Sequence, residues 1–297
     1  MGPSVPVTTA PNNVSSARAD PNRLVAERDA GAVVARYAPP AGSVRLPSAP
    51  HGSGLAVAPS RPGTPDLIDR TRFWRTSGDM ASVMAWVLAH APAHATLVGT
   101  GSYGTDTEHQ ASGELGPSPP EFKALTTDAV FSLPAPRPVF SSRQELVTVA
   151  MVGRDVVLRI DAQDVWYPTR PAWSYLVSAD TVATVTVWSG PGGGEPRTVE
   201  VHGVVAAHLR HLVNAMPVGT GGVFSCPAES GDHVLVRFSG PHAGPVSLSA
   251  LIPECGGFEI REPGHPMIEL DDTDGLLVAA EALAAPGGSV TPASDPS

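Results

Sequence analysis

Lysine is almost missing from this chain of 297 residues: it occurs once, at Lys123, and arginine supplies every other permanently basic side chain. With 29 acidic residues against 19 basic ones the formal charge is -10. The cations are also unevenly placed, since residues 1–75 hold nine arginines and five acids and the remainder is strongly acidic. Phosphate backbones are bound by clustered cations that release counterions, so nucleic acid is not an expected partner. Long apolar runs are missing too. No stretch approaches the roughly 18 apolar residues that span a bilayer, so no transmembrane segment is expected. The opening MGPSVPVTTAPNNVSS has neither the basic start nor the apolar centre of a secretion signal, which taken literally gives a cytoplasmic protein as the alternative location.

Cysteine is scarce, and its two copies argue the other way. Cys226 and Cys255 are too few for a cysteine-only metal centre, and they form no CxxC redox motif. They flank HVLVRF and PVSLSALI, which read as a β-hairpin. A Cys226–Cys255 disulfide would close a loop of about 30 residues and add roughly 3–4 kcal/mol in the chain-entropy model. Such bonds persist outside the reducing cytosol, so the expectation is an extracellular or cell-envelope protein. Two separate buried thiols are the alternative.

What the chain has in excess is proline, 32 residues, and glycine, 30 residues. Much of the proline lies before residue 70 or at the C-terminal end, which predicts a disordered leader over 1–70 and a disordered tail over 287–297. Within the leader, RLVAERDAGAVVARY (23–37) has helical spacing and predicts one short helix.

Between these ends the pattern predicts an α+β chain of two small domains, 71–168 and 176–286, each a mostly antiparallel sheet packed with one or two helices. In the first, TRFWRT is a strand, and Ser77 or Asp79 caps the helix MASVMAWVLAHA, which Pro92 stops. QELVTVAMV and DVVLRIDAQDVW follow as strands joined by a tight turn at Gly153-Arg154. In the second, strands surround the helix GVVAAHLRHLVNAM, and DGLLVAAEALAA forms the last helix.

The order FWR, MAWVLAHAP, SSRQELVTVA, VWYPTRPAW and LRHLVNAMPVGTGGVFSCPA, with a later cysteine, resembles a group of uncharacterised actinobacterial exported or lipoprotein-like proteins. The resemblance covers roughly residues 70–285. It implies a cell-envelope location and carries no activity and no catalytic residue.

Several motifs bear on chemistry. Gly99-x-Gly101-x-x-Gly104 ends a strand as a dinucleotide loop does, but TDTEHQASGELGPSPPEF after it is too rich in turn residues and proline for the required helix. TGSYG is not a nucleophile elbow, because Thr100 stands where glycine is needed. In LDDTDGLLVAAE, Asp272, Asp274, Gly275 and Glu281 match calcium-loop positions, but Leu270 would be the first ligand, so helix capping is the cheaper reading. His208 and His211 lie three apart on a predicted helix and are the one metal alternative, for a metal-assisted hydrolase.

The densest binding signal is Trp166, Tyr167, Arg170, Trp173 and Tyr175, five residues of the three hot-spot types within ten positions. They are read as a candidate binding surface for an envelope protein or a glycan, against the alternative that they fill a seam between the domains. No catalytic residue and no cofactor is assigned, and the expected role is that of a non-catalytic binding or structural component.

Overall fold

The computed structural model describes residues 20–51, 53–103, 126–177, 179, 181–188, 195–220, 233–240, 246–250, 257–272 and 275–285. Two six-stranded antiparallel sheets organise them, as the α+β pattern predicts.

The first sheet contains β1 (Val44–Leu46), β2 (Leu67–Thr76), β3 (Thr96–Tyr103), β4 (Thr126–Ser132), β5 (Phe140–Val152) and β6 (Asp155–Trp166), ordered β1-β2-β6-β5-β4-β3. Gly153, at φ +66°, supplies the left-handed backbone that the tight β5–β6 turn requires. Residues alternate between faces along each strand, so Val147, Val149, Val156, Leu158 and Ile160 point to one side. There they bury Val83, Met84 and Val87 of α2 (Met80–Ala89). Asp79 starts that helix by accepting from the Ser82 N–H at 2.8 Å, while Leu88 is exposed.

The second sheet has the order β12-β11-β10-β9-β7-β8. Its strands are β7 (Val182–Trp188), β8 (Arg197–His202), β9 (His233–Ser239), β10 (Val246–Ala250), β11 (Gly257–Arg261) and β12 (Ile268–Asp271). α3 (Gly203–Ala215) and α4 (Leu276–Ala284) cover one face through Ala206, Leu209, Val213, Leu276, Ala280 and Leu283. The other face carries Thr184, Thr186, Thr198 and Glu200, which is the polar-out alternation of a one-sided antiparallel sheet.

The leader expected over 1–70 is corrected for residues 20–70. α1 (Pro21–Arg36) lies on the first sheet with Ala26, Ala30, Val33 and Val34 buried against Leu133, Ala162, Phe140 and Trp166. β1 adds to the sheet edge through Val44–Arg75, Arg45–Trp74 and Leu46–Phe73 pairs. The proline-rich stretch 47–66 crosses the opposite face, burying Leu55 against Ala150 and Val157. Polar side chains of the sheet tie it down: Arg159 donates to the Leu55 carbonyl at 2.6 Å and Gln163 to the Ser60 carbonyl at 2.9 Å. A segment without regular structure can therefore be ordered when its backbone carbonyls find fixed donors. Residues 1–19 and 286–297 lie outside the described residues.

Candidate functional site

The aromatic segment expected to form a surface is mostly interior. Trp166 and Tyr167 are buried in the first unit, Trp166 against Ala26 and Phe140. Arg170 is buried at the seam with the second unit, where it donates to the carbonyls of Val213 (2.6 Å) and Met216 (2.9 Å) at the C-terminal end of α3. Its other donors reach the Ser174 hydroxyl and carbonyl, and its guanidinium lies 4.4 Å from the centre of the Tyr175 ring. The helix end and the ring face offset a buried cation, although burial still lowers its pKa to about 10. Trp173 stacks on His265, with ring centres 4.6 Å apart, and Tyr175 is exposed. Reading Trp166, Tyr167 and Arg170 as binding surface is therefore corrected: Trp166 and Tyr167 are buried within the first unit, and Arg170 holds the seam.

The same segment is fixed from both sides. Asn214 of α3 accepts from Leu176 N–H (2.8 Å) and donates to its carbonyl (2.9 Å). Asp20, at the start of α1, accepts from the Thr169 N–H and hydroxyl, and Asn22 donates to the Tyr167 carbonyl.

The remaining sequence candidates are placed as follows. His208 is half-buried and His211 exposed on α3, and among the described residues no group of three metal-ligating side chains converges. Asp272 accepts from the N–H groups of Gly275, Leu276 and Leu277 at 2.8–3.0 Å, so it caps α4. Gly99 and Gly101 lie within β3, and Gly104 is outside the described residues, as are Cys226 and Cys255.

A concavity framed by chemistry-bearing residues lies between the C-terminal ends of α1 and α2. Its volume is about 690 Å³. Arg36, Tyr37 and Ala38 contribute one wall, Trp86 and residues 90–93 a second, and Leu133, Pro134, Arg143 and Glu145 the floor and back. Glu145 falls here because it shares a face of β5 with Val147 and Val149, one residue pair beyond where α2 covers the sheet.

Glu145 is only 4% exposed and makes no ion pair within 4.0 Å among the described residues. Burial raises its pKa to about 7, partly offset by the Arg36 charge. Beside it the Tyr37 hydroxyl is buried with no hydrogen-bond partner among the described residues, and burial together with Glu145 pushes that phenol's pKa up. Tyr37 is steadied by the Trp74 ring, 5.3 Å away. His90 turns away from the floor: its Nδ1 is 2.8 Å from the Trp86 carbonyl and its ring stacks on Trp86 at 4.1 Å.

Arg143 is already committed. It donates twice to Asp29 of α1, at 2.9 and 2.5 Å, and to the Pro134 carbonyl. Behind it Asp164 is fully buried 4.0 Å from the Arg143 guanidinium, with its pKa raised by burial and by Asp29. This acid–arginine–acid set fastens α1 to the sheet and makes the back wall of the pocket.

The opposite face of the sheet also buries charge. Arg159 grips Asp161 through two 2.7 Å bonds, and Asp161 accepts from Thr71 at 2.5 Å. That arrangement is satisfied and holds the 47–66 stretch.

Glu145, Arg36 and Tyr37 were not singled out from sequence. A signal existed: in FSSRQELVTVAMV, Glu145 alternates in step with Val147 and Val149, placing an acid on the buried face. Searches of protein-family models, curated proteins and solved structures found no match for this chain.

Proposed function

We propose that this chain is a non-catalytic binding component of the cell envelope, and that the pocket over Glu145 is where it binds. The observation carrying this reading is the pocket itself: a cavity of about 690 Å³ with mixed apolar and polar walls, lined by the buried acid Glu145, which makes no ion pair within 4.0 Å among the described residues. A concave, mixed-polarity cavity with a few polar groups on its lining is the usual mark of a small-molecule site. Among the described residues no serine, threonine, cysteine or lysine lines the pocket, burial and Glu145 keep the Tyr37 phenol protonated, and His90 is held by its own helix, which supports binding over catalysis. The envelope location rests on the resemblance and on the proposed Cys226–Cys255 bridge.

A fragment screen by ligand-observed NMR tests the pocket, run on the full chain and on Ala38→Trp, which places an indole in the mouth. Hits lost in the Trp variant support the reading; hits that persist unchanged, or an absence of hits on the parent, overturn it. Location is tested by fractionating the native host and alkylating thiols with and without reduction. Envelope protein that takes up two alkyl groups only after reduction is the expected result.

A further inference from the structure

We infer that the pocket takes a small zwitterionic peptide, with its ammonium on Glu145 and its carboxylate on Arg36. This rests on the pocket reading and adds the chemical class of the ligand. Glu145 lies on the floor and Arg36 in the last turn of α1, both on the lining, and the Arg36 charge acts on Glu145 although no ion pair within 4.0 Å joins them. Two opposite charges face one cavity with space between them. A ligand carrying both charges in the reverse order satisfies both ends, whereas a singly charged one leaves one of them to water.

The floor favours the cationic end. Both α1 and α2 point their C-terminal ends at the cavity, and such ends carry partial negative charge. A cation also removes the cost of the desolvated carboxylate, which burial otherwise holds half-protonated near neutrality. The anionic end has one available anchor, because Arg143 is occupied by Asp29 while Arg36 is exposed with no hydrogen bond among the described residues. Between the ends, Leu133, Pro134 and Trp86 offer apolar contact for a side chain, and about 690 Å³ exceeds the need of a single amino acid.

The test is calorimetric titration of the full chain at pH 8 with alanyl-leucine, its N-acetyl form and its C-terminal amide. The expected result is binding of the free dipeptide, weakened at least tenfold by acetylation and severalfold by amidation. Glu145→Gln is expected to weaken the free dipeptide and to abolish the penalty of acetylation, and Arg36→Ala to do the same for amidation. Both substitutions keep the fold, since one is isosteric and the other exposed. Equal binding of free and capped forms overturns the inference. So does no binding of any form while fragments still fill the pocket, a result that leaves the binding reading standing.

Discussion

Glu145 shows how one side chain can be dictated by strand pairing and still escape notice in the sequence. On β5 it stands in step with Val147 and Val149 and opposite Ala162 of β6, so the sheet forces it inward. Burial raises its pKa from an ordinary 4.5 to about 7. Between those values the folded chain keeps a proton that the unfolded chain has released, so this group's contribution is complete below about pH 4.5 and is lost as pH rises through 7. Glu145→Gln is therefore expected to match the parent near pH 4.5 and to exceed it at pH 8 by up to about 3 kcal/mol. Urea unfolding at both pH values checks this; an equal difference at the two would show that Glu145 is not desolvated. The alternation that places Glu145 inward is legible, but the pocket above it is not, because it depends on where α1 and α2 end. This segment misleads for the opposite reason: composition marks Trp166, Tyr167 and Arg170 as hot-spot types, and only the packing assigns the first two to the interior of one unit and Arg170 to the seam.

α1 is the element whose role the sequence hides best. Its buried stripe contains Ala26 and Ala30, small residues that give a weak apolar signal, and it precedes a proline-rich stretch that looks extended. Small side chains also let the helix lie close to the sheet, where Asp29 reaches Arg143. Val33→Ala is expected to cost about 2 kcal/mol by chemical denaturation; no change would return α1 to the status of a leader. At the seam, Arg170→Lys keeps the charge but loses the planar fork that reaches Val213, Met216 and Ser174 together. A loss of about 2 kcal/mol is expected, with faster hydrogen exchange in the last turn of α3. The helices α2, α3 and α4 were legible, because each combines a strong apolar stripe with a stop or cap such as Pro92, Pro217 or Asp272.

Across the whole molecule the α+β class and the division into two sheet-centred units follow from local pattern, whereas strand order follows from pairings between distant segments that periodicity does not encode. The polar interior has a collective consequence. Glu145, Asp164, Asp66 and Asp271 all have pKa values raised, with burial the first cause in each case, to about 6 for the last two. By the same linkage the folded state gains as these groups take up protons, so the melting temperature should rise as pH falls from 8 toward 5. A melting temperature that falls steadily over this interval would mean that these carboxylates are paired in solution.

The central claim, that binding occurs over Glu145 and not on the aromatic segment, is tested most directly by the five tryptophan indole signals in a two-dimensional NMR spectrum of the labelled full chain. Trp86 lines the pocket and Trp173 marks the segment beside Tyr175. On adding the fragment hits, the Trp86 signal is expected to move while Trp173 stays. Movement of Trp173 with Trp86 unchanged would contradict the account and return the binding surface to the aromatic segment.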